Sequence, residues 1–384
     1  MELDLGWILV ALPVAFGLGW LASRLDLRQM RINNLQAPRA YFKGLNFLLN
    51  EQQDQAIDAF IEAVQNDPDT SELHFALGNL FRRRGEYDRA VRVHEHLLSR
   101  ADLSQADRQR AQHALALDFL KAGLLDRAEE ALRKLEGTPY AGQARLARLA
   151  IYERSREWPQ ATEVARLLEA SGEAQFDARR AHYGCEQARE AIAQGDPSTG
   201  LQILQATLAQ YPQASRPRIL LAQLLESRGE HEHVLQVLEP LFAQHHGAAA
   251  LAAPTLIKSA KACHQEQRAH DWLAALYAQD NSLDILQALL ELPPEEPTHT
   301  SKLKAYEQHL QKHSSLLAAR RWLELDTASQ QHVPQTIHKA LEQATRPLSR
   351  YRCAACGFEA NNYFWHCPGC QGWDTYPPRR VEEL

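Results

Sequence analysis

The sequence predicts an all-α repeat solenoid, preceded by one membrane-spanning helix and closed by a small four-cysteine metal ribbon. Three observations predict it. Residues 5–22 form an uncharged apolar run, the middle of the chain repeats a helical pattern every 34 residues, and two Cys-x-x-Cys pairs stand at Cys353/Cys356 and Cys367/Cys370. On this reading the 384 residues divide into an anchor at 1–23, a basic juxtamembrane linker at 24–37 and a repeat array at 38–290. A degenerate helical extension at 291–349, the ribbon at 350–376 and a tail at 377–384 complete the chain.

The anchor reads "LGWILVALPVAFGLGWLA". As a helix it spans roughly 27 Å, enough for a hydrocarbon core. Trp7 and Trp20 fall near its two ends, where amphipathic rings prefer the interface, and Pro13 is placed to kink it. A cleaved signal peptide wants a basic start, whereas Glu2 and Asp4 precede this run. Arg24, Arg28, Arg31, Arg39 and Lys43 follow it, so the positive-inside rule sets the N-terminus outside and the body in the cytoplasm. For a bacterial chain this means a single-pass inner-membrane protein with a periplasmic N-terminus. Ala11, Ala15, Gly19 and Ser23 recur every fourth residue and give one face on which a partner helix can approach closely.

The repeats show by self-similarity. "KGLNFLLNEQQDQAIDAFIEAVQNDP" aligns with "LGNLFRRRGEYDRAVRVHEHLLSR", matching Gly44 to Gly78, Phe47 to Phe81 and Ala56 to Ala90. Period and pattern resemble the tetratricopeptide repeat, in which small residues sit where two helices of a hairpin cross. Pro68 closes the first unit. Weaker units follow through Phe119 and Gly123, Tyr152 and Trp158, Gly195 and Gly200, and Leu225 and Gly229; from Pro254 to Leu290 the helical pattern persists with a degenerate register. Each hairpin must stack to bury its apolar face, and such arrays offer a concave groove. The resemblance to that repeat family implies groove positions at Phe75, Asn79, Arg82, Arg83, His113, Arg189, Arg216 and Gln223, suited to an acidic or carboxylate-ended peptide. The pairs "HEH" at His94–His96 and His231–His233 read as helical surface, and the run Arg82–Arg84 as a solvated corner.

The C-x2-C-x10-C-x2-C spacing lets two tight turns present Cys353, Cys356, Cys367 and Cys370 as a tetrahedron around one soft ion, iron or zinc. Gly357, Pro368 and Gly369 help the backbone curl toward the sulfurs. A cytoplasmic location keeps these thiols reduced, which favours metal over disulfides. The knuckles look like those of rubredoxin-type domains and zinc ribbons, and a segment this small needs such a staple to fold. Its aromatics exceed what it can bury alone, so some are expected to pack on the repeats or meet a partner. His366 is expected to stay outside the ligand set. Cys185 and Cys263 stand alone and read as buried, unreactive thiols.

No P-loop, dinucleotide fingerprint, H-E-x-x-H or G-x-S-x-G is present, so the chain is expected not to be an enzyme. A net charge of −6 without a basic stripe argues against nucleic acid as a partner. Electron transfer through a ribbon iron is the alternative, weakened by the short connection between the cysteine pairs.

Anchor "GWILVALPVAFGLGWLASR", repeats from "YFKGLNFLLNEQQDQAIDAF" and ribbon "YRCAACGF…WHCPGC" together resemble the lipopolysaccharide assembly protein B family of Gram-negative bacteria. The resemblance implies an inner-membrane adaptor that limits lipid A synthesis. It would promote degradation of the committing deacetylase by a membrane-anchored AAA+ protease, met through the membrane helix, and would gather other lipopolysaccharide-synthesis proteins. Whether the chain forms homo-oligomers is left open.

Overall fold

The computed structural model describes residues 42–67, 70–172, 175–244, 247–292, 298–326 and 334–384, with Phe16 and Trp20. The anchor positions Ala11, Ala15, Gly19 and Ser23, the linker arginines and Pro68 lie outside the described residues. Among the described residues no helix is long and apolar enough to cross a membrane.

Helices carry almost all of the described chain. A first helix over residues 42–49 (α1) precedes α2 (Gln53–Asn66), α3 (Ser71–Arg84), α4 (Tyr87–Ser99), α5 (Gln105–Ala122), α6 (Leu125–Arg133) and α7 (Ala141–Ser155). Next come α8 (Trp158–Ala170), α9 (Asp177–Ala193), α10 (Pro197–Gln210), α11 (Ser215–Ser227), α12 (His231–Ala243), α13 (Ala249–Ala262) and α14 (Glu266–Asp280). The shorter α15 (Leu283–Glu291), α16 (His299–Lys312), α17 (Leu316–Leu325) and α18 (Gln335–Thr345) lead to two strands, β1 (Tyr351–Arg352) and β2 (Glu359–Ala360). The chain forms two compact units whose boundary passes through α8. Trp158–Glu163 belongs to the second unit with everything from Ala174 onward, and Val164–Glu173 to the first.

One turn closes every hairpin from α1–α2 to α13–α14. A residue at positive φ follows the first helix, at Glu51, Gly85, Gly123, Arg156, Gly195, Gly229 and His264. The next N–H then reaches back five residues, as in Glu86 N to Phe81 O (2.9 Å), Glu157 N to Tyr152 O (2.8 Å) and Gln265 N to Ala260 O (2.9 Å). This is the Schellman closure, which satisfies carbonyls that the helix end would otherwise leave open. The turn recurs at His264, so α13 and α14 form a seventh regular hairpin where the sequence shows only a degenerate register. His264, like Glu51 and Arg156, stands where the other four turns use glycine, at a cost of roughly 1 kcal/mol, and its hairpin lacks that cue in the sequence.

The small residues at the helix crossings have a steric reason. A Cβ on Gly44 would stand 2.8 Å from the Phe60 ring, and one on Gly78 would stand 2.5 Å from His94 Nε2. Phe60 and His94 are themselves one period apart, so the second repeat replaces a core phenyl with an imidazole. His94 is therefore fully buried, contrary to its expected surface position, and its Nδ1 meets Asp118 of α5. Arg82 also leaves the expected solvated corner. Its guanidinium donates to Asp118 Oδ1 (2.8 Å) and to the Ala114 carbonyl (3.0 Å). Around this polar group the first unit packs Ala56, Phe60, Leu77, Phe81 and Ala90, with Leu115, Phe119, Leu132 and Ile151 further along.

The second unit is held by a long apolar cluster from Cys185 and Leu204 through Leu238, Leu256 and Leu273 to Leu292. Burial pushes the Cys185 thiol up to about 12, which keeps it inert as expected. Cys263 is only half-buried, because it stands in the turn after α13.

The last eight residues do more than trail off. Glu383 accepts from Leu283 N (2.6 Å) at the start of α15, while Glu382 accepts from Leu317 N (3.1 Å) and Ser315 Oγ (2.7 Å) at the start of α17. Arg380 pairs with Asp284 (2.8 Å) and lies 4.1 Å over the Tyr351 ring. One short segment thus caps two helix N-termini and binds the ribbon to them. Glu382→Ala and Glu383→Ala are each expected to lower stability by about 1 kcal/mol, the worth of an N-terminal cap. Chemical denaturation of each variant beside the parent checks this.

Candidate metal centre and its docking seam

The ribbon begins with β1 paired antiparallel to β2, Tyr351 opposite Ala360 and Arg352 opposite Glu359. Two similar knuckles follow from the two Cys-x-x-Cys pairs. Cys353 N donates to Phe358 O (2.9 Å) and Gly357 N to Cys353 O (2.9 Å); Cys367 N donates to Gly372 O (2.9 Å) and Gln371 N to Cys367 O (2.8 Å). Gly357 takes positive φ after the first pair, and Gln371 does so after the second. Gly369 serves differently, since a Cβ there would lie 3.4 Å from Cys356 Sγ and 3.3 Å from Phe358.

These turns bring four sulfurs within 4.8 Å of one another. Cys353 and Cys370 are 3.8 Å apart, and Cys356 and Cys367 3.7 Å. A tetrahedron with metal–sulfur bonds of about 2.3 Å has edges of about 3.8 Å. The spacing fits one ion and is far too long for disulfides. Electrostatics agree with the geometry. Burial alone would raise the Cys353 thiol, but the Thr375 hydroxyl and the N–H groups of Cys356 and Ala355 point to its sulfur and hold it down at about 6. Cys356 receives the Phe358 N–H, yet desolvation and the three neighbouring sulfurs push it up to about 12. Four thiolates this close need a cation to ionise together, and the donor set suits zinc or iron equally. His366 contributes no ligand atom; its Nε2 lies 3.0 Å from the Gln371 carbonyl, and its ring stacks on Trp373 at 4.2 Å.

The second knuckle also docks the ribbon on the repeats of its own unit. Trp373 stacks on His182 of α9 at 4.9 Å and meets Tyr183 and Trp158 edge-on at 6.0 and 6.2 Å. Asp374 holds His182 Nε2 at 2.7 Å. Arg216 of α11 is buried beside them, its guanidinium 5.8 Å over Trp373, 3.4 Å from His182 Nδ1 and paired with Glu186. Within the ribbon, the Tyr363 hydroxyl donates to the Tyr376 carbonyl (3.0 Å). Trp365 and Trp373 thus pack on the helices, while Phe358 stays exposed.

The expected groove residues divide among several environments. Phe75 is buried, with the Arg110 guanidinium 4.1 Å over its ring, because the core takes it up. Asn79 and Arg82 are bonded to each other. His113 stacks on Tyr140 at 4.9 Å, and burial, then the nearby Arg82 charge, hold its imidazole below the usual range. Arg83, Arg189 and Gln223 are exposed. Arg216 faces the ribbon seam instead of open solvent. His182, Glu186 and Asp374 were not singled out by sequence, and Trp158 was read only as a repeat position, although His182 lies one 34-residue period before Arg216.

Stacked helical hairpins with a tetrathiolate ribbon define a tetratricopeptide-repeat protein bearing a rubredoxin-like metal-binding module. Family models agree, with a rubredoxin metal binding domain matching residues 351–378 and tetratricopeptide repeats matching 73–109 and 191–254. The chain is 30% identical to lipopolysaccharide assembly protein B of Escherichia coli (strain K12), over 97% of this chain and 98% of that protein. It is 28% identical to the protein of the same name from Haemophilus influenzae, over 98% of each. The chain belongs to the lipopolysaccharide assembly protein B family. Among solved structures, a tetratricopeptide repeat protein from Parabacteroides merdae aligns with 67% of this chain and 99% of its own, at 16% identity and a TM-score of 0.33.

Proposed function

We propose that this protein is a single-pass inner-membrane adaptor with a cytoplasmic body that restrains lipid A synthesis. It delivers the committing deacetylase to a membrane-bound AAA+ protease and gathers other lipopolysaccharide-synthesis proteins. The observation that carries the reading is kinship to lipopolysaccharide assembly protein B over nearly the whole chain. The ribbon's docked state supports it, because a metal module fastened to repeats by Trp373, His182 and Arg216 shapes a binding surface. The mechanism is raised effective concentration: one partner meets the membrane helix at Ala11, Ala15, Gly19 and Ser23 while another lies on the cytoplasmic body.

Exchanging residues 5–22 for an unrelated apolar helix is expected to lengthen the deacetylase half-life in pulse-chase while cytoplasmic partner capture persists. An unchanged half-life removes the sequence-specific role of the small-residue face. One-electron transfer is a second reading, favoured only by the exposure of Cys356 and Cys370. Full function of a zinc-loaded chain removes it.

A further inference from the structure

A cavity of about 630 Å³ opens in the second unit where the N-terminal ends of α9, α11 and α13 face the ribbon. That volume lies within the range of ligand pockets. Its ribbon wall is aromatic, with Tyr363, Trp365 and Tyr376 closed off by Pro378, and the repeats contribute Tyr211, Pro212 and Pro217. Among the described residues lining it there is no Leu, Ile or Val, so it is not built to hold an acyl chain. Flat rings interleaved with prolines instead suit a polyproline-II segment, which arrives preformed and with its backbone carbonyls free.

Charge narrows the ligand further. Asp177 and Asp374 are exposed carboxylates on the lining, and Asp374 also holds His182. The lining cation, Arg216, is neutralised by Glu186. With Asp374 engaged by His182, the exposed Asp177 at the rim is left to meet a cationic group, while the three helix N-termini keep the floor positive.

We infer that this cavity binds an extended, proline-containing segment of a partner protein that carries a lysine or arginine at its edge. The inference deepens the adaptor reading and rests on it. The test uses the full chain in detergent, metal-loaded, with the fluorescein-labelled, amidated peptide Ala-Pro-Pro-Ala-Pro-Pro-Arg in an anisotropy titration. Saturable binding is expected. Asp177→Asn, or an alanine in place of the peptide's arginine, should weaken it about threefold at low salt, as for an exposed ion pair. Ala178→Trp sets an indole into the cavity from an exposed helix position and should abolish binding, with circular dichroism and Tm unchanged.

No saturable binding, or binding indifferent to Ala178→Trp, overturns the inference. So does tighter binding of an arginine-free peptide ending in a free carboxylate, which would make the ligand an anion. Deacetylase half-life in cells keeps the two claims apart. Absent peptide binding with intact regulation overturns this inference alone, and intact peptide binding with no regulation overturns the adaptor reading alone.

Discussion

A Cys367→Ser chain is expected to lose its metal ion, unfold the ribbon and lose protease resistance well beyond residues 350–376. Cys367 is fully buried, and its sulfur stands 3.7 Å from Cys356. A structural ion contributes on the order of 10 kcal/mol to so small a fold, far more than a two-stranded ribbon recovers from its own apolar contacts. The damage should spread because Trp373 packs on α9 and because Glu382 and Glu383 cap α17 and α15. Metal content, a thermal melt and limited trypsin digestion beside the parent check this. A metal-free variant that melts and cleaves like the parent would contradict it.

The second large effect lies in the first unit. Asp118→Ala is expected to destabilise that unit by about 3–5 kcal/mol, the cost of stranding buried charge and polar groups. Asp118 is fully buried and accepts from both Arg82 and His94. His94 Nε2 already lacks a partner against Gly78, so losing Asp118 leaves the imidazole with no bond on either nitrogen. Asp118→Asn should cost less, since the amide oxygen can still accept one of the two bonds. Urea unfolding of both variants measures the difference, and equal, near-parental midpoints would mean that the three side chains do not act together.

The repeat period was legible wherever the hairpin turn uses glycine, as at Gly85, Gly195 and Gly229. Glu51, Arg156 and His264 adopt the same backbone without that residue; the first repeat stayed legible through its match to the second at Gly44, Phe47 and Ala56, whereas the period faded at the fourth repeat and its register was lost at the seventh. The metal centre was legible because spacing alone forces four sulfurs together. Its docking seam was not, because Trp373 and His182 are far apart in sequence and nothing local announces their contact. Buried ionic groups misled in the same way. His94 and Arg82 look like surface residues until Asp118, on a later helix, is placed between them. The C-terminal "RRVEEL" reads as a charged tail, and its capping role appears only once the starts of α15 and α17 are in position.

The central claim is that the ion holds the repeats as well as the ribbon. Native-state hydrogen exchange of the full chain, before and after stripping the metal with a chelator under reducing conditions, tests it most directly. The account predicts that protection falls together in the ribbon and in α9 around His182 and Tyr183, while α3 and α4 in the first unit keep theirs. Loss confined to residues 351–378, with α9 as protected as before, would contradict it.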